Sequence, residues 1–378
     1  MLYEHVSDGY SNAETTARAS FYSVTGVPTM CFDGMNPKSV GAYTNDEQQY
    51  QWYKGSFLAR LAIPSPFDIE AIYTVGGTGG EHAYIYVKVT NTSGQVKNNI
   101  TMMFGAYEDL GSQMYHWTCR RITSGGTYSF EIDETKYLYM DLDCTIATNM
   151  DNVGIIVFAQ DNTLPKKDVH QADWAERGEM TTWPADLRGV GWNWFAIPLE
   201  PLNPTPEAIL GFDCTGILWM WDKYAKTTQV YRPPFVSFGL EVGPSYLLRL
   251  DSLPGDVAYP GLAPASPFGF LMGKTGWTWV GKPGTAQLGY PDFMDDVQVE
   301  YPIGGEVRTA TEDRESGNPW LNWGWAWWDA VRQAPRTFTP YLPFGNNVCM
   351  PWVGYRAYAN IGTAVGPDDP DQVTLIWP

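Results

Sequence analysis

Tyr22-Ser23-Val24-Thr25-Gly26-Val27-Pro28-Thr29-Met30-Cys31-Phe32-Asp33-Gly34 is the stretch that decides how the chain divides. It has the form of a short buried strand entered through a proline. Val27-Pro28 is an X-Pro bond, the one kind of peptide bond in which cis is cheap, so Pro28 is a candidate cis-proline and a marker of fold. The apolar run after it is strand-length, and Asp33-Gly34 is a turn signal that closes it.

The flanks extend this into a small α/β unit. Leu2 to Val6 reads as a strand. Ser11 or Asn12 can cap a helix running to Tyr22, and Thr44-Asn45-Asp46 can cap a second from Glu47 to Ala62. The second carries Tyr50, Tyr53, Phe57, Leu58 and Leu61 at three-to-four spacing. Ile63-Pro64-Ser65-Pro66 stops it and serves as a linker. The pattern Tyr-x-Val-x-Gly-Val-Pro-Thr, followed by an apolar strand and Asp-Gly, resembles the cis-proline segment of thioredoxin-like proteins. The closest form is that of secreted and outer-membrane-associated bacterial members. The resemblance implies that residues 1–63 are the C-terminal part of such a domain, with a strand missing from its sheet. The Cys-x-x-Cys pair such proteins carry upstream does not occur in this chain.

Composition sets the class. A chain of 378 residues is long enough for about two to four domains with sizeable cores. With 42 acidic and 24 basic residues the net charge is −18, which opposes nucleic acid and anionic membrane surfaces as partners. Aromatics make up 15%, with 38 Gly and 28 Pro, a composition that fits turn-rich extracellular β-structure. No apolar run is long enough to span a membrane as a helix. Met1-Leu2-Tyr3-Glu4-His5 lacks the basic and apolar regions of a signal peptide, so a secreted form would be a mature or trimmed one.

Residues 67–178 alternate as an antiparallel sandwich. Asp68–Tyr73, His82–Thr90, Ile100–Tyr107, Tyr128–Ile132 and Val153–Asp161 are the expected strands. Phe158-Ala159-Gln160-Asp161 followed by Val169-His170-Gln171-Ala172 also resembles the immunoglobulin-like domain that follows the thioredoxin-like part in the same bacterial proteins.

Residues 185–378 repeat. Gly191-Trp192-Asn193-Trp194-Phe195-Ala196-Ile197-Pro198 matches Gly276-Trp277-Thr278-Trp279-Val280-Gly281-Lys282-Pro283, and Trp219-Met220-Trp221-Asp222 matches Ala326-Trp327-Trp328-Asp329. The unequal spacing between these motifs places an insertion in the second copy, within Tyr290 to Asn318. The pattern resembles the Gly-Trp repeat modules of secreted bacterial surface proteins. The expected fold is thus mainly β and multidomain: an incomplete thioredoxin-like α/β head (1–63), an Ig-like sandwich (67–178) and two β modules (185–265 and 266–378).

Site candidates are few. Cys31, Cys119, Cys144, Cys214 and Cys349 are widely spaced, which speaks against zinc-ribbon and redox motifs. Cys31, on the strand after Pro28, reads as a small core residue, with an interchain disulfide and a redox nucleophile as alternatives. Cys119 and Cys144 are candidates for a disulfide, and Cys214 and Cys349 for a second. Trp192 with Trp194, Trp219 with Trp221 and Trp325 with Trp327 recur at period two, so each pair shares one strand face. Such a row fills a core, forms an interface or stacks on sugar rings. Asp141-Leu142-Asp143 and Gly366–Asp371 read as acidic loops, solvated or holding calcium, and no other cofactor or metal is implied. Asn91-Thr92-Ser93 and Asn99-Ile100-Thr101 are glycosylation sequons. No nucleophile, zinc-protease or phosphate-loop motif is present.

The expected function is therefore a non-catalytic extracellular structural or adhesive component of a bacterial surface assembly, self-associating by strand addition. Gln372-Val373-Thr374-Leu375-Ile376-Trp377-Pro378 is the candidate donor strand. The alternatives are a carbohydrate-binding surface module and a thiol-disulfide oxidoreductase fragment whose dithiol lies upstream.

Overall fold

A computed structural model describes residues 11–26, 29–34, 38–41, 44–111, 117–163, 167–273, 275–289, 292–338, 348–360, 366 and 368–378. Val27-Pro28, the candidate cis bond, lies outside the described residues, as does the strand expected at Leu2–Val6. The chain is mainly β, 46% strand and 14% helix, and divides into two compact units, residues 1–178 and 179–378. No helix among the described residues is long and apolar enough to cross a membrane.

The first unit opens with α1 (Ala13–Phe21), β1 (Thr29–Cys31), β2 (Lys38–Val40) and α2 (Asp46–Leu61). Asn12 caps α1: its side chain accepts from Thr15 N at 2.9 Å while Thr15 Oγ1 accepts from Asn12 N at 3.0 Å. Asn45 caps α2, accepting from Glu47 N at 2.8 Å. The strands β1 and β2 form a two-stranded antiparallel sheet. Helix α2 has no buried residue, and Tyr50, Phe57, Leu58 and Leu61 are exposed.

The sandwich follows: β3 (Phe67–Gly76), β4 (His82–Asn91), β5 (Lys97–Glu108), β6 (Thr118–Phe130), β7 (Thr135–Asp143), β8 (Val153–Asp161) and β9 (Val169–Arg177), in the order β6-β5-β8-β9-β3-β4-β7. β9 runs antiparallel to β8, then leaves it and meets β3 in parallel at Ile72 and Tyr73. It thereby joins a four-stranded and a three-stranded layer. Inward residues of both layers, among them Ile85, Val87, Met102, Phe104, Phe130, Ile155 and Val157, form the core.

Three expectations change here. Asp141-Leu142-Asp143 is not a loop but the end of β7, whose Tyr137 and Tyr139 face out while Leu142 faces the core. The strand expected at 128–132 is the end of β6, which starts at Thr118. Gly125 within it leaves room for the Phe104 ring, which would lie 2.3 Å from an added Cβ. Cys119 and Cys144 are free thiols. Cys119 lies with Met103, Tyr107, Ile122 and Phe158 in a small cluster outside the sandwich core, whereas Cys144 is in that core. Lying in different clusters, they form no disulfide.

The second unit is a duplication of topology. The first copy contains β10 (Glu179–Thr182), β11 (Gly191–Phe195), β12 (Glu200–Pro201), α3 (Pro206–Leu210), β13 (Leu218–Asp222), β14 (Thr227–Val230), β15 (Tyr246–Leu250) and β16 (Ala258–Leu262). The second contains β17 (Phe268–Leu271), β18 (Gly276–Gly281), β19 (Leu288–Gly289), α4 (Asp292–Asp296), β20 (Gln298–Tyr301), β21 (Glu306–Thr309), α5 (Ala310–Glu315), β22 (Leu321–Asp329), β23 (Ala334–Phe338), β24 (Val348–Cys349), β25 (Gly354–Ala359) and β26 (Thr374–Trp377). The sheet β11-β15-β13-β14 has its counterpart in β18-β25-β22-β23, and β10-β16-β12 in β17-β26-β20, with β21 added at the edge. The extra length of the second copy falls at residues 282–297 and 302–309, starting earlier than Tyr290.

Register fixes which residues correspond. Phe195 pairs with Tyr246 and Val280 with Tyr355, so Tyr246 and Tyr355 are equivalent. Each hydroxyl accepts from the backbone N–H five residues earlier, Glu241 and Met350, both at 2.8 Å.

The copies hold each other through equivalent bonds. Ala196 N donates to Trp352 O at 3.3 Å, and its counterpart Gly281 N donates to Gly243 O at 2.6 Å. Gln333, at the hairpin tip of the second copy, bonds both backbone groups of Trp192 at 2.8 and 3.0 Å. Lys226, at the matching tip of the first, donates to Trp277 O at 3.2 Å. Equivalent small residues meet at the centre: a Cβ on Gly281 would lie 2.1 Å from that of Ala196, and one on Gly354 would lie 2.8 Å from that of Ser245.

Two further expectations fall in this unit. The C-terminal segment is not a free donor strand: β26 pairs with both β17 and β20, and Leu375 and Trp377 are buried in the core. With both edges occupied it has no backbone left to offer another chain. Cys214 and Cys349 do not pair, because they lie in separate hydrophobic cores, one per copy.

Candidate functional site: the aromatic faces of the second unit

Alternation along the strands sorts the tryptophans. On β11 and β13 the inward residues are Asn193, Phe195, Leu218 and Met220, so Trp192, Trp194, Trp219 and Trp221 all face outward. In the second copy β22 turns Leu321, Trp323, Trp325 and Trp327 inward, so Trp325 and Trp327 stand where the first copy has Leu218 and Met220. Trp325 is fully buried against Phe293, Tyr355 and Trp377, and Trp327 packs on the same core. Trp325 is therefore withdrawn as a binding residue. The outward positions of this copy are Trp277, Trp279, Ala326 and Trp328.

The outer faces of the two copies meet through part of their aromatic rows. Trp194 and its equivalent Trp279 lie 5.6 Å apart across the two copies, and Trp221 stacks on Trp279 at 5.7 Å and 22°. The Trp221 indole N–H donates to Trp277 O at 3.0 Å. These three rings are interface. Trp192 and Trp219 are the remaining pair, 5.1 Å apart at 57°, and Trp192 is 36% exposed. Leu247 and Arg249 on β15 lie beside them in register, the latter exposed. The paired motif Trp-x-Trp-Asp ends in a turn signal: Asp222 accepts from Tyr224 N and Ala225 N at 2.9 and 2.8 Å, closing the first hairpin. Asp329 does the same for the second through Arg332 N at 2.9 Å.

Groups capable of chemistry are locked in structure. Burial pushes the thiols of Cys119, Cys214 and Cys349 up to about 12 and that of Cys144 up to about 11, so none is a thiolate near neutral pH. Burial lowers Lys223 to about 8, but its amine donates to Leu271 O and lies 4.3 Å over the Phe270 ring. Asp313 is fully buried, and burial raises its carboxyl. It accepts from Trp320 N, Leu321 N and the Trp323 indole at 2.8, 3.2 and 2.9 Å, a structural role. Among the described residues no three His, Cys, Asp or Glu converge on a metal position. Asp141 instead faces His82 at 2.7 Å and raises its pKa through that bond. Asn91 of the first sequon is buried, its amide bonded to Gln95 O and Glu131 O.

The first unit has one feature that sequence reasoning missed. An open cavity of about 430 Å³ lies between α2 and β9, lined by Phe32, Phe57, Arg60, Leu61, His170 and Gln171. Arg60 and Asp33 pair beside it at 3.0 Å. Burial lowers the pKa of His170, which keeps the ring neutral at pH 7. A lone histidine 110 residues from its arginine neighbour leaves no local sequence signal.

No protein-family model and no curated protein matches the chain. Among solved structures, a domain of the outer membrane lipoprotein Omp28 from Porphyromonas gingivalis is 14% identical, with a TM-score of 0.23 over 30% of this chain and 88% of that one. HBP35 of Porphyromonas gingivalis is 11% identical, with a TM-score of 0.35 over 66% of this chain and 79% of that one. A β-glucosidase from Listeria innocua is 14% identical, with a TM-score of 0.19 over 30% of this chain and 16% of that one. At TM-scores of 0.19 to 0.35 these likenesses carry no argument about activity or partners.

Proposed function

We propose that this is a non-catalytic extracellular protein with a structural or adhesive role at a bacterial surface. One observation carries the reading. The second unit is a locked pair of β modules with outward tryptophans both in the interface between the copies and on a partly open face at Trp192 and Trp219. Rigid presentation of aromatic rings suits recognition, since little side-chain entropy is lost on contact. The acidic surface and the buried, undissociated thiols fit the same reading and oppose the oxidoreductase alternative.

The carbohydrate reading is favoured at one place, the open Trp192–Trp219 pair. Pull-down on insoluble polysaccharides with Trp192→Ala and Trp219→Ala tests it. Retention by the wild type and its loss in both variants is expected. Equal retention in the variants, or none in the wild type, would remove it. Self-association by donation of residues 372–378 is not proposed. A self-associating form would need another surface, and α2 exposes Tyr50, Phe57, Leu58 and Leu61. Sedimentation of wild type against Leu58→Glu/Leu61→Glu tests this, and a wild type that stays monomeric at high concentration ends the fibre reading.

A further inference from the structure

Two strands stand at the ends of the seven-stranded order in the first unit, β6 and β7. The edge of β6 is covered by the start of α1: Asn12 Nδ2 donates to Arg120 O at 3.0 Å, and Glu14 Oε2 accepts from Ile122 N at 3.0 Å. The edge of β7 has no such cover. Asn91 N donates to Glu134 O at 3.0 Å and Cys144 N to Glu81 O at 2.8 Å, one bond at each end of the strand. Between them the register of β7 on β4 runs without a shift. Lys136, Leu138, Met140 and Leu142 therefore bond to β4, and the backbone N–H and C=O groups of Thr135, Tyr137, Tyr139, Asp141 and Asp143 point away from it. Among the described residues no other strand meets them.

Exposed edge strands are normally kept short, bulged or interrupted by proline. Apart from β6, the other edge strands among the described residues run two to six residues. β7 runs nine, with no proline, glycine or bulge. Its outer face exposes Tyr137 and Tyr139, the latter by 57%, and Tyr139 meets Tyr86 of β4 at 5.2 Å.

We infer that β7 is a docking edge whose occupant is the β7 of a second copy of this chain, paired antiparallel about a two-fold axis at Tyr139. The strand is complementary to itself in that direction only. Its carboxylates, Asp141 and Asp143, both sit at its C-terminal end. Antiparallel pairing sets Asp141 opposite Tyr137 of the second copy and Asp143 opposite Thr135. Parallel pairing sets carboxylates side by side, which is unfavourable in a chain of net charge −18. The register centred on Tyr139 engages all the outward backbone groups, and it extends the Tyr86–Tyr139 contact into a ladder of four tyrosines across the join. A two-fold contact closes on itself, so it gives a dimer and no fibre. It goes beyond the surface role proposed above and does not depend on it.

The test is sedimentation equilibrium of the full chain over a concentration series, where a reversible dimer is expected. Tyr139→Glu brings two carboxylates together at the axis and should weaken the dimer at least tenfold. If that variant does not fold, Tyr137→Glu, which would face Asp141, serves under the same criterion. The Leu58→Glu/Leu61→Glu chain, altered on α2, should dimerise as the wild type does. Oxidative cross-linking then checks the register, in a Cys31→Ser background because the other four thiols are buried. Tyr139→Cys should give a covalent dimer. Asp143→Cys, whose two copies would lie about 27 Å apart along the paired strands, should not. A chain that stays monomeric throughout, undiminished dimerisation of the glutamate variant, loss of the dimer in the α2 variant, or cross-linking of Asp143→Cys as readily as Tyr139→Cys overturns the pairing.

Discussion

The two copies of the second unit share their strand order, their buried tyrosine and their hairpin aspartate, yet they differ on their outer faces. What they share is backbone pairing and the volume at the centre. Ala196, Gly281, Ser245 and Gly354 leave no room for a larger side chain. The outer faces carry no such constraint, so the same register position holds Leu247 in one copy and Arg356 in the other. Where backbone meets backbone, the sequence is held to small residues. Where a face meets solvent or a neighbour's side chain, chemistry can diverge without changing the fold.

The sharpest break in that comparison is Trp325→Ala against Trp192→Ala. Trp325 is fully buried in the second core, and its removal should cost about 4 kcal/mol in denaturant unfolding. Trp192 belongs to the same kind of period-two tryptophan pair in the sequence but is 36% exposed. Its loss should cost under about 1 kcal/mol. Equal losses would mean that the open face is core after all.

Next is Gly281→Val. The added side chain collides with Ala196 and should destabilise by about 3 kcal/mol through overpacking, read as a lower midpoint at unchanged denaturant slope. Gly304→Ala is the control for a glycine with open space around it, though its positive φ of 75° adds a smaller strain of about 1 kcal/mol. A Gly281→Val protein as stable as wild type would show that the two modules do not pack through this centre.

A smaller effect separates the first unit from the second by pH. Glu108 is buried. Burial raises its carboxyl, but the bonds from Thr148 N, Arg120 and Asn149 N outweigh this and hold it below the usual 4.5. Its depressed value means the unfolded chain binds the extra proton. Stability from this group is therefore present above about pH 4.5 and is lost as pH falls through the folded value. Glu108→Gln should flatten the acid limb of stability measured on the first unit's transition. An unchanged limb would show that this carboxylate does not report the folded state. The smallest effect is chemical: Cys119, Cys144, Cys214 and Cys349 should stay unreactive to a thiol reagent in the native protein and react fully in denaturant. Rapid native labelling of any of them would contradict their burial.

Local signals were legible where local physics decides. Asn12 and Asn45 cap their helices, Asp222 and Asp329 close their hairpins, and the Gly-Trp duplication appears as two equal strand orders. Period-two tryptophans revealed that Trp192 and Trp194 share a face, and likewise Trp325 and Trp327. Which face was core could not be read, because an indole suits either face and only the packing on Phe293, Tyr355 and Trp377 decides it for Trp325. β7 was missed because its outward tyrosines and aspartates look like a loop until Leu142 is seen in the core.

Partnerships across sequence distance belonged to the tertiary structure alone. Cys119 and Cys144 looked bridgeable by loop length, but loop length says nothing of which side of a sheet a thiol faces. The terminal apolar strand looked free because its partners, β17 and β20, are remote in sequence. Alternation, caps and turns act within a few residues, so the sequence by itself determined the elements and the repeat. Packing of one copy on the other and the burial of Trp325 depend on contacts between distant residues, and only the folded arrangement decides those.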